Sequence, residues 1–70
     1  MIKGIFIQKY LININCISNI YFDENKKTIK IFTLDSGLPT TIECETENEY
    51  DKYYNILISL FDLVNDIENG

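Results

Sequence analysis

Seventy residues with a net charge of −5, 46% apolar content and no histidine describe one small folded domain, 1–70, and exclude several classes of protein. The apolar share is too high for a disordered chain, and no run approaches the roughly 18 apolar residues that a membrane span needs. The acidity argues against a generic nucleic-acid binder, whose phosphate contacts call for a basic surface.

In chain order, residues 2–9 predict a first strand. Ile5 and Ile7 alternate with Gly4, Phe6 and Gln8, so both faces are expected to be partly covered. No glycine or proline separates this strand from Tyr10-Leu11-Ile12, and its end is undefined. Tyr10, Ile12 and Ile14 alternate as a second strand does, but Ile17 and Ile20 stand three apart. That change of period predicts a turn or bulge between Asn13 and Ser18, with Asn15 as the side chain that stabilises it. The strand resumes over residues 19–23.

Residues 23–27, Asp-Glu-Asn-Lys-Lys, predict a polar hairpin loop. Residues 28–34 are rich in β-branched and aromatic residues, with Ile29 and Ile31 on one face and Phe32 and Leu34 on the other with Thr28 and Lys30. Asp35-Ser36-Gly37 predicts a turn, with Gly37 able to take a positive φ. Pro39 removes a ladder donor at the start of the last strand. That strand runs over residues 40–45, with Ile42 and Cys44 inward and Thr41, Glu43 and Glu45 outward.

The closing helix is expected over residues 46–68. Thr46-Glu47-Asn48-Glu49 has the pattern of a capping box, in which Thr46 accepts from the Glu49 N–H and the Glu49 carboxylate returns to the Thr46 N–H. Glu47, Glu49 and Asp51 suit the positive end of the helix dipole. On a helical wheel Tyr50, Tyr53, Tyr54, Leu57, Leu60, Phe61, Val64 and Ile67 form one stripe, widened by Ile56, Leu63 and Ile58 to about 200–220°. A helix resting on one sheet shows a stripe of little more than about 100°. The excess surface predicts a partner, most simply the same helix of a second copy. The candidate interface is Tyr53, Ile56, Ile58, Leu60, Leu63 and Ile67. Asp62, Asp66 and Glu68 oppose the dipole at the C-terminal end, so the last turn is expected to fray. The whole is an α+β arrangement: a small antiparallel sheet of about four strands followed by one C-terminal helix packed on it.

Function classes narrow further by chemistry. Without histidine, and without a cysteine beside a base, no usual nucleophile–base pair exists. The glycines, Gly4, Gly37 and Gly70, form no phosphate loop. No catalytic, cofactor or metal residue is assigned, and the protein is expected not to be an enzyme. Cys16 and Cys44, with no CxxC spacing, read as buried free thiols and not as a zinc site or a disulfide. Met1-Ile2-Lys3-Gly4 leads into a short apolar run with no small-residue cleavage site, so no signal peptide is expected and the expected location is the cytoplasm.

Charge is divided unevenly. Residues 1–34 hold five lysines against two acids, a net of +3, while residues 35–70 hold one lysine against nine acids, a net of −8. The basic half supports a second reading: single-stranded nucleic acid stacking on Tyr10, Tyr21 or Phe22 beside Lys9, Lys26, Lys27 and Lys30. The acidic half supports a third, a small inhibitor that offers its charge to a host protein. Thirteen isoleucines and eight asparagines match an AT-rich genome, such as that of a low-GC bacterium or of its phages and plasmids.

Tyr10-Leu11-Ile12-Asn13, Ile17 and Ile20, Thr28-Ile29-Lys30-Ile31-Phe32, Asp35-Ser36-Gly37, Ile42 and Glu49 together resemble small bacterial β-rich proteins of flagellar operons and swarming motility. The same residues are more loosely similar to the DNA-binding domain of LytTR response regulators. The resemblance spans residues 10–58 and implies a β-rich module with a closing helix. Acidity and the lack of a basic reading loop depart from the LytTR pattern, and no functional residue carries over. The expected activity is therefore a non-enzymatic protein–protein interaction or regulatory role. It would be exercised as a homodimer or on an unidentified protein partner, with nucleic acid and membrane unlikely partners.

Overall fold

The computed structural model describes residues 3–35 and 37–61. The fold is α+β, with its strands in two antiparallel sheets. Strands β1 (Gly4–Ile7) and β2 (Tyr10–Asn13) form a two-stranded hairpin. Strands β3 (Ile17–Asp23), β4 (Thr28–Thr33) and β5 (Thr40–Glu43) form a three-stranded sheet in the order β3-β4-β5. Helix α1 (Glu47–Ile58) follows.

This corrects the expectation of one sheet of about four strands. The break expected between Asn13 and Ser18 is present as a short 3-10 turn at Ile14–Cys16, and it divides residues 10–23 between two sheets. Asn13 rather than Asn15 supplies the stabilising side chain: its Oδ1 accepts from the Asn15 N–H at 3.0 Å. A bulge follows between Ile17 and Asn19. The extra residue lets Ile17 and Ile20 both pack on the core despite their spacing of three.

The first hairpin closes through Gln8 and Lys9, with Gln8 at φ 54. A polar side chain therefore makes the turn that neither glycine nor proline announces. Gly37 does not use the positive φ open to it, since neither described glycine has one. The loop 24–27 is the expected hairpin connection. Asp23 Oδ1 accepts from the Lys26 N–H at 3.2 Å, and Lys27 takes φ 54.

The core gathers one face of every element. Ile7 and Ile12 come from the hairpin, Ile29, Ile31 and Ile42 from the sheet, and Tyr50 and Leu57 from the helix. Opposite faces are unevenly covered: Phe32 is half-buried, whereas Phe6 is 71% exposed and Leu34, in the turn after β4, 76%. Gln8 fastens the two sheets, its Nε2 donating to the Glu43 carbonyl at 2.9 Å.

The helix begins where its cap predicts. Thr46 Oγ1 accepts from the Glu49 N–H at 3.1 Å. The reciprocal bond lands one residue earlier than the capping-box pattern, since Glu49 Oε1 accepts from the Glu45 N–H at 2.9 Å. The helix ends ten residues short of the expected limit, at Ile58 rather than 68. There the Ser59 hydroxyl donates to the Ile56 carbonyl at 2.7 Å. Leu60 and Phe61 donate to Leu57 and Ile58, both at 3.2 Å, a tightened i to i−3 pattern. No basic residue in the last turn offsets the dipole.

Candidate functional site

Shortening the helix changes which residues can form an interface. Leu63 and Ile67 lie outside the described residues. Tyr53 is half-buried and packs against the core, and Lys52 Nζ stands 5.7 Å from its ring centroid. Ile56 and Leu60 are each 37% exposed, and Ile58 is half-buried. The predicted set is therefore split. Tyr53 serves mainly the core, whereas Ile56, Ile58 and Leu60 keep apolar surface toward solvent.

One of these residues opens onto a cleft. Leu57, Ile58 and Phe61 face Asn19, Ile20 and Phe22 of β3 across a space of about 180 Å3. Its sheet side exists because the bulge restores Ile20 and Phe22 to the inner face. Its helix side exists because the chain turns at Ser59 and brings Phe61, 45% exposed, to the mouth. The Phe22 ring is held by Tyr54, which meets it edge-to-face at 4.8 Å between centroids and lies nearly parallel to Tyr50 at 6.2 Å. All the lining side chains are apolar except Asn19. Such a surface binds apolar side chains; it offers no acid, base or nucleophile.

Sequence reasoning placed Phe61 in the helix stripe but not in the interface, because a continuing helix would have directed it elsewhere. It also missed the hairpin's outer face, where Phe6 and Leu11 are direct cross-strand partners and Leu11 is 77% exposed. Alternation of Ile5 and Ile7 with Phe6 was the available signal.

The stacking candidates fare unequally. Tyr10 and Phe22 pack against the core, while Tyr21 is 55% exposed beside its cross-strand partner Lys30. The lysines are spread along the chain's outer surface, with Lys9 5.7 Å from the Tyr10 ring centroid.

Two further clefts are more polar. One, of about 230 Å3, lies between the end of the hairpin and the sheet and includes Leu11, Cys16, Asp35 and Thr40. The other, of about 270 Å3, is formed by Glu24, Tyr50, Asp51 and Tyr54. Among the described residues no group of three or more histidine, cysteine or acidic side chains is arranged to hold a metal ion. Cys16 and Cys44 are free and half-buried. Burial raises the Cys44 thiol above its ordinary value of 9.0, and the Glu49 charge adds to the effect. This is the opposite of what an activated thiol needs. No helix of the described residues is long and apolar enough to cross a membrane. No protein family, curated protein or solved structure matches the chain.

Proposed function

We propose that this protein is a non-enzymatic protein–protein interaction or regulatory module that acts as a homodimer through the apolar end of α1. The observation that carries the reading is the open cleft between α1 and β3, apolar on both walls and rimmed by Phe61. A chain of 70 residues is small for an independent domain, and self-association is a common remedy at this size. Free thiols suit a reducing compartment, and the reading assigns the protein to the cytoplasm.

Light scattering on the full chain at micromolar concentration tests it. The expected mass is twice 8.2 kDa, and Phe61→Glu is expected to return it to one chain, because the new carboxylate would need to be buried at the cleft mouth. A wild-type mass of 8.2 kDa across the concentration range overturns the homodimer. A second reading, single-stranded nucleic-acid binding, keeps one specific support, the open Tyr21 ring beside Lys30. Anisotropy with a labelled oligonucleotide checks it: a binder loses affinity steeply as salt rises.

A further inference from the structure

The two edges of the three-stranded sheet are built differently. Strand β5 is four residues long, follows Pro39 and ends at Glu43, whose carbonyl is occupied by Gln8. Short length, proline, charge and a covering side chain are the usual devices that keep an edge from pairing. Strand β3 is seven residues long, and residues 17–22 contain no charge and no proline. Its one such device is the bulge near its start.

The direction of the β3 backbone groups follows from two fixed bonds. Cys44 donates to the Lys27 carbonyl, and Leu34 donates to the Cys16 carbonyl. Alternation along β4 from both anchors turns the N–H and C=O groups of Lys30 and Phe32 toward β3. Their partners Tyr21 and Asn19 therefore face β4. The N–H and C=O groups of Ile20 and Phe22 face the open edge, where no described residue pairs with them.

We infer that β3 pairs antiparallel with β3 of a second copy, joining two three-stranded sheets into one of six strands beside the apolar clefts. This rests on the homodimer proposed above and names its second contact. Charge distribution favours a copy of the same chain as occupant. A chain of net charge −5 resists self-association wherever its acids meet. Glu43, Glu45, Glu47, Glu49 and Asp51 gather on the far strand and the first turns of α1. The cleft lies at the helix's other end, about 12 Å along its axis. Ile17 to Phe22, Leu57, Ile58 and Phe61 bring no charge to the contact, and Asp23, which ends β3, falls at opposite ends of the two strands when they run antiparallel. A two-fold axis across β3 thus joins the neutral surfaces and holds these acidic ends apart.

Residue-resolved amide exchange on the full chain tests this alongside light scattering. On concentration into the dimer range, the Ile20 and Phe22 amides are expected to slow by about tenfold or more, while those of Asn19 and Tyr21 are protected at every concentration. The double variant Asn19→Glu/Tyr21→Glu is expected to abolish the effect and halve the mass. Paired about a two-fold between positions 20 and 22, position 21 faces its own copy and position 19 faces the partner's Asp23, so each new carboxylate meets another carboxylate, whereas the one at position 21 has Lys30 opposite it within its own chain. Its fold is checked by unchanged protection of the Ile29 and Ile42 amides. A dimer whose Ile20 and Phe22 amides exchange freely overturns strand pairing and leaves association by the helix end standing. A monomer at every concentration overturns both. Protection of the two amides in a monomeric sample also overturns the inference, since the edge is then covered within one chain.

Discussion

Lys27 holds φ 54 at the end of the β3–β4 loop while its carbonyl accepts from the Cys44 N–H at 3.0 Å. A side chain with a Cβ is strained there, and glycine is not. Lys27→Gly is expected to stabilise the fold by about 0.5–1 kcal/mol, with the gain reduced by the added freedom of the unfolded chain. Lys27→Val should cost about 1 kcal/mol or more, and urea unfolding midpoints report both. Gly37 is the counterpart. Its φ is not positive, and a Cβ there meets nothing within 4 Å, so Gly37→Ala is expected to raise stability by about 0.4–1 kcal/mol. Two titrating side chains set the alkaline limit. Burial raises the Cys44 thiol above 9.0, with Glu49 adding to it. Burial also raises the Tyr50 phenol above 10.0, with smaller contributions from Glu24, Tyr54, Asp23 and Asp51. Both groups hold their protons more tightly folded than unfolded. Their contribution is complete below the unfolded values and is lost as pH rises through the folded ones. Unfolding free energy should therefore fall from about pH 9 upward, and Cys44→Ala should remove the earlier part of that fall.

Helix α1 owes its start to a cap and its orientation to two buried side chains, Tyr50 and Leu57. Thr46→Ala removes the acceptor of the Glu49 N–H and is expected to cost about 1 kcal/mol, read from helical ellipticity and thermal midpoint, while Thr46→Ser restores most of it. The cap could be read from four consecutive residues because its geometry is local. So could β4, whose β-branched run fits a strand in any context. The helix's end could not. Apolar periodicity continues through Phe61, Val64 and Ile67, and nothing in it records that the Ser59 hydroxyl would bond the Ile56 carbonyl and tighten the turn. The same limit applies to the sheet. Alternation marks Tyr10, Ile12 and Ile14 as one strand, but the 3-10 turn that takes Ile14 out of it and sends β2 and β3 into different sheets depends on Asn13 accepting from a backbone N–H two residues away. The cleft was legible only by halves. Its helix wall, Leu57 and Ile58, stands in the stripe. Its strand wall follows from the bulge at Ile17–Asn19, which the change of period announces only as a turn or bulge between Asn13 and Ser18, and the placing of Phe61 follows from the turn at Ser59, which periodicity does not encode.

At the scale of the whole molecule, the distribution of charge decides how association responds to salt. Each chain carries −5, and two chains brought together repel over a range set by the Debye length, about 30 Å at 0.01 M salt and about 8 Å at 0.15 M. A contact formed by apolar side chains and backbone bonds is itself nearly indifferent to screening, so what salt removes is the repulsion between the acidic ends. Homodimer affinity is therefore expected to rise between these two concentrations, and sedimentation equilibrium measures it directly. Nucleic-acid binding predicts the reverse, because counterions released from phosphates make binding weaken as salt increases. Docking of the acidic surface on a basic host protein predicts weakening too. The sign of one salt dependence, measured first on the chain alone and then with a labelled oligonucleotide, thus separates self-association from both charge-driven readings. A self-association constant that falls with salt would mean that opposite charges meet at the contact. The neutral cleft and β3 edge could not then be its centre.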